Sequence, residues 1–122
     1  MSSLFILLLL SPAILALGGG KVVPCSDNKP APVLIPIGKV TTINFPTAPK
    51  EAIPGEAGFD IKRIGEDLVI KPVKLSAHTN LVVYLENRRC FFHLVASSRG
   101  EESVFVRDPK STTIEAKYVD QK

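Results

Sequence analysis

Residues 79–97 read TNLVVYLENRRCFFHLVAS, two apolar runs around the polar knot Glu86-Asn87-Arg88-Arg89. The pattern predicts a β-hairpin. A two-residue turn at Asn87-Arg88 opposes Glu86 to Arg89, Leu85 to Cys90, Tyr84 to Phe91, Val83 to Phe92, Val82 to His93 and Leu81 to Leu94, and opposed residues share a face. Arg88 suits the positive φ of a type I′ turn poorly, so a four-residue loop is the other reading, with the same facing. On either reading one face carries Leu81, Val83, Leu85, Cys90, Phe92 and Leu94 and belongs in a core. The other carries Val82, Tyr84, Phe91 and His93. That face is amphipathic and needs cover from an arm, a helix or a partner, which makes these four residues the candidate protein interface.

The same period of two recurs elsewhere. In GKVTTINFP, Thr41, Ile43 and Phe45 alternate with Val40, Thr42 and Asn44 until Pro46 ends the run. FDIKRIG and EDLVIKPV read as a hairpin turning near Gly65-Glu66, with Leu68 and Ile70 on one side and Val69 and Lys71 on the other. ESVFVRDP supplies one more short strand, whereas TAPKEAIPGEAG between residues 47 and 58 reads as turn. Short strands at regular spacing predict an all-β fold, a small immunoglobulin-like β-sandwich over residues 38–109. Ahead of it KVVPCSDNKPAPVLIP has four prolines, so 19–37 is expected to be an extended arm. After Pro109, Thr112 and Glu115 have capping-box spacing and Ile114 and Tyr118 lie four apart, predicting a short C-terminal helix or tail at 110–122.

The first eighteen residues differ from all of this. Residues 4–17, LFILLLLSPAILAL, form an uncharged apolar body of about 14 residues that leads into Gly18, the anatomy of a secretory signal peptide cut after Ala16-Leu17-Gly18. The n-region MSS lacks the usual Lys or Arg, and the span is shorter than the roughly 20 apolar residues of a membrane helix. Export predicts a periplasmic protein and permits disulfides. Cys25 and Cys90 allow one intramolecular pairing, and two separate thiols are the alternative. Lipidation of Cys25 is disfavoured because Val22-Val23-Pro24 precede it instead of small residues.

With 122 residues and 45% hydrophobic content the chain holds one domain, and a net charge of +3, spread among interspersed signs, points to no nucleic-acid stripe. Arg88, Arg89, Phe91 and Phe92 interleave charge with aromatics, but read better as a solvated turn beside core. Catalytic vocabulary is sparse. Cys90 and His93, three apart on a strand, point to opposite faces and serve neither one metal ion nor a Cys-His nucleophile. The sequence carries no G-x-S-x-G and no phosphate-cradling glycine loop. The expectation is a non-enzyme without cofactor.

Several stretches in order then resemble one family. TTINFP, DLVIKP, TNLVVYLENRRCFFHL and VFVRDP resemble the strands of the amino-terminal domain of the CagX/TrbG proteins, the ninth VirB-type component of type IV secretion and conjugation machines. The matching positions are Ile43, Phe45, Pro46, Leu68, Ile70, Lys71, Pro72, Thr79, Asn80, Leu81, Arg88, Arg89, Phe92 and Leu94. The resemblance implies a structural subunit of a ring-forming homo- or hetero-oligomer in the periplasm, with other secretion-complex subunits as partners. Members carry a second, carboxy-terminal β-domain that reaches the outer membrane, so outer-membrane contact is not carried over. The alternative expectation is a stand-alone periplasmic β-sandwich binding module, or a secretin or pilus accessory protein, holding one partner on the Val82, Tyr84, Phe91, His93 face.

Overall fold

A computed structural model of the chain describes residues 20–107. The predicted signal peptide and the predicted C-terminal helix lie outside the described residues. Within them the chain is all-β: β1 (Lys21–Val23), β2 (Ala31–Pro36), β3 (Thr41–Asn44), β4 (Glu51–Pro54), β5 (Phe59–Ile64), β6 (Asp67–Pro72), β7 (His78–Tyr84), β8 (Arg89–Ser97) and β9 (Ser103–Val106). They form two mixed sheets, a five-stranded one in the order β1-β9-β3-β6-β5 and a four-stranded one in the order β2-β8-β7-β4.

Alternation builds the core. Thr41, Ile43, Phe45, Leu68, Ile70, Val104 and Val106 from the five-stranded sheet are buried, as are Val33, Ile35, Leu81, Val83, Cys90, Phe92 and Leu94 from the four-stranded one. The apolar ones form a single cluster, so the two sheets share one core in a sandwich-like arrangement. Phe45, just past the end of β3, meets Phe92 of β8 edge-to-face with centroids 5.9 Å apart, a contact between the two sheets. The buried Thr41 hydroxyl is satisfied by donating to the Glu101 carbonyl at 2.7 Å.

The hairpin of β5 and β6 turns at Gly65-Glu66, as the pattern predicts, with Ile64 opposite Asp67. Gly65 has φ +59° and Glu66 no positive φ, the combination of a type II′ turn. In the hairpin of β7 and β8, Tyr84 pairs with Arg89, Val83 with Cys90, Val82 with Phe91 and Leu81 with Phe92. Leu85 to Arg88 thus form the four-residue loop, closed by Leu85 N–H donating to Arg88 C=O at 2.8 Å. Facing is unchanged, but Glu86 no longer opposes Arg89; its carboxylate lies 3.6 Å from the Lys50 ammonium.

Two segments need correction. The proline-rich arm is extended, but it belongs to the sheets: β1 pairs in parallel with β9, and β2 in parallel with β8. Both are edge strands, where proline's missing N–H costs no ladder bond. The stretch read as turn contains β4, which pairs with β7 on the other edge of the four-stranded sheet and ends at Pro54.

The chain passes from one sheet to the other between β1 and β2, and there Cys25 is bonded to Cys90 of β8, with Cα atoms 4.7 Å apart. Beside the bridge, Phe91 N–H donates to Ser26 C=O at 2.9 Å, and the Arg88 guanidinium donates to Cys25 C=O at 3.3 Å. Closing a 65-residue separation restricts the unfolded chain, so the double substitution Cys25→Ala/Cys90→Ala is expected to lower the unfolding free energy by about 4 kcal/mol. Denaturant titration of both forms reads this, and equal midpoints would contradict it.

Candidate functional site

The register of the four-stranded sheet lays its outward side chains in rows across the strands. One row is Ile53, Val82 and Phe91; the next, toward the loop, is Glu51, Tyr84 and Arg89. On the other side come Asn80, His93 and Pro32, then His78, Val95 and Leu34. The predicted interface residues Val82, Tyr84, Phe91 and His93 are therefore together on one face, with Val82 and Phe91 directly opposed.

This face is partly apolar and open. Ile53 is 51% exposed, Leu34 40% and Tyr84 39%, while Val82, Phe91 and Val95 are half-buried among their neighbours. No element among the described residues lies over it. Of the covers anticipated for the second hairpin face, the arm joins the sheet edge-on. Charge is placed at the margins: the Arg89 guanidinium stands 5.5 Å from the Phe91 ring centroid, a cation–π contact, and Glu51 is exposed beside Tyr84. An apolar centre with a polar rim is the anatomy of a protein-binding surface.

At one end the face dips into an open hollow of about 380 Å³ lined by Gly55, Glu56, His78, Thr79, Asn80 and His93. The two imidazoles lie 6.1 Å apart between centroids, on diagonal positions of neighbouring strands. Gly55 lies tight against the rim. Its N–H donates to Asn80 C=O at 2.9 Å, and a Cβ at this position would require the exposed Asn80 side chain to move aside. Thr79, buried under the rim, accepts a hydrogen bond from Glu56 N–H at 2.8 Å and so anchors the loop after β4. His93 points out to solvent, while Cys90 is buried in the core and bonded to Cys25.

Ile53, Leu34 and Val95 are members of the face that sequence reasoning missed. The signal for Leu34 is present, since Ala31, Val33 and Ile35 are buried and alternate with Pro32 and Leu34, but the prolines masked it. Ile53 sits between Pro49 and Pro54 in a strand only four residues long, too short to show a period.

No protein-family model matches the chain, and no curated protein matches it. What the described residues define is an all-β, sandwich-like protein with an open, partly apolar sheet face. The two faces of the hairpin should respond differently to substitution. Ile53→Ser and Tyr84→Ser are expected to change stability by under about 1 kcal/mol, whereas Phe92→Ala should cost about 3–5 kcal/mol. Urea denaturation of the three variants measures this, and equal losses would remove the distinction between faces.

Proposed function

We propose that the protein is a non-catalytic assembly subunit or accessory of a type IV secretion or conjugal transfer envelope complex in the periplasm, acting by protein–protein contacts through the outer face of the four-stranded sheet. The observation that carries the reading is the open row Ile53, Val82 and Phe91, flanked by Tyr84, with Leu34 and Val95 further along the same face. With Ile53, Tyr84 and Leu34 exposed and Val82 and Phe91 half-buried between them, they form an apolar surface suited to association rather than to folding.

Three further points support it. The Cys25–Cys90 bond suits an oxidising compartment, in keeping with export by the signal peptide over 1–18. The strand order fits an immunoglobulin-like sandwich. Taking β3, β4, β5, β6, β7 and β8 as its strands B to G, one sheet contains B-E-D and the other G-F-C, with β2 flanking G. The strand β9 is an addition, inserted between β1 and β3. The motif residues of the CagX/TrbG resemblance include Ile43, Phe45, Leu68, Ile70, Leu81, Phe92 and Leu94, all fully buried. They account for the fold, and the proposed contact surface is formed by the outward neighbours of Leu81, Phe92 and Leu94 on β7 and β8.

Assembly and folding can be separated by one pair of variants. Tyr84→Asp puts a charge on the open face and is expected to remove the chain from the large complex while the oxidised monomer stays folded. Phe92→Asp buries an unpaired charge in the core and is expected to unfold it. Native mass spectrometry of detergent-extracted complexes, with circular dichroism of the free chains, reads both effects. Recovery of the wild-type chain only as a free monomer would sink the proposal.

A further inference from the structure

We propose that β5 is a self-association edge, through which two copies of this chain pair β5 to β5, antiparallel about a two-fold axis at Ile61, and extend the five-stranded sheet across a dimer. This rests on the other sheet and on other residues than the proposed function, and stands without it.

The sheets have four edge strands, β1, β5, β2 and β4. Three are blunted: β1 has three residues and runs into Pro24, β2 contains Pro32 and Pro36, and β4 ends in Pro54. The fourth, β5, has six residues, FDIKRI, and no proline. An edge of that kind is a template for another strand.

Hydrogen-bond phase selects which residues can pair. Gly58 C=O accepts from Val73 N–H at 2.9 Å, so position 58 faces β6. Alternation then turns the backbone groups of Asp60, Lys62 and Ile64 toward β6 and those of Phe59, Ile61 and Arg63 toward the open side. Side-chain facing is the second constraint. Phe59 and Ile61 pack against the core, whereas Asp60 and Lys62 are exposed on the outer surface. Directly opposed residues must share a face, so 59, 61 and 63 can pair only among themselves, as can 60, 62 and 64.

An antiparallel register centred on Ile61 meets both constraints. Ile61 opposes Ile61 of the second copy in a doubly hydrogen-bonded pair, Phe59 opposes Arg63 twice with the same phase, and Asp60 opposes Lys62 twice with opposite charge. Sliding by two residues in one direction sets Lys62 against Lys62; in the other, Asp60 against Asp60. Basic residues on an edge ordinarily repel a partner strand. Here Asp60 next to Lys62 converts that repulsion into a choice of one register, and of a second copy of this sequence as the occupant.

The test uses sedimentation equilibrium of the chain as it is recovered from an exporting host, oxidised at Cys25–Cys90. A concentration-dependent dimer is expected. Asp60→Lys and Lys62→Asp each place like charges opposite one another at two symmetric positions and should weaken the dimer about ten-fold. The double variant Asp60→Lys/Lys62→Asp restores opposite charges and should recover the wild-type dimer to within about three-fold. Both positions are exposed, and thermal melts read separately what the Asp60→Lys change costs the monomer beside Lys71. A wild-type chain that stays monomeric throughout, single variants that dimerise as tightly as wild type, or a double variant no tighter than the singles would each overturn the proposal.

Discussion

The structure depends on how its first strands are held, and the Cys25–Cys90 bond holds them. A proline-rich segment has little reason to stay on a sheet. As an edge it is paired on one side alone, and β1 has only three residues. Cross-linked to the start of β8 through the fully buried Cys90, the same segment is delivered to both sheets at once, β1 on one side of the bridge and β2 on the other. Its prolines then become an advantage, since they lower the entropy of the unfolded chain and blunt the edge that β2 presents. Val23, Val33 and Ile35 are buried as a result, and they complete the apolar cluster.

A second latch of weaker kind sits where β5 comes close to the start of β4. The Arg63 guanidinium donates to the carbonyls of Pro49 and Lys50, tying the edge of the five-stranded sheet to the segment that enters the four-stranded one. These are charge-assisted bonds to backbone, stronger than the exposed ion pairs Lys39–Glu102 and Lys50–Glu86, which contribute little. Together with the edge-to-face contact of Phe45 and Phe92, the sheets are joined by a covalent bond, an aromatic pair and a guanidinium at different points of the chain.

What could be read from the sequence follows from how local each signal is. The hairpin of β5 and β6 is legible because Gly65 and the alternation of Phe59 to Lys62 and of Leu68 to Lys71 lie within one short window. In the hairpin of β7 and β8 the two faces are legible but the register is not, since a period of two does not change when the loop grows by two residues. The parallel pairings of β1 with β9 and β2 with β8 join positions more than sixty residues apart, and no local pattern encodes them. The candidate face shows the same split. Val82, Tyr84, Phe91 and His93 were visible on adjacent strands, whereas Leu34 and Ile53 reach the face through pairings that only the folded chain makes.

The two proposed contacts also differ in the symmetry they impose. A strand edge pairing with itself is isologous: both copies use one patch, the contact closes on a two-fold axis, and it cannot propagate. The open face of the four-stranded sheet carries no such restriction. Its rows run from Glu51 and Tyr84 through Ile53, Val82 and Phe91 to the hollow at His78 and His93, so its two ends differ in chemistry and suit a partner surface unlike itself. Heterologous contacts of that kind generate rings where the rotation closes. Because the edge belongs to one sheet and the face to the other, occupation of β5 leaves Val82, Tyr84 and Phe91 open, and a closed pair and a larger assembly can be built from the same chain without competing for residues.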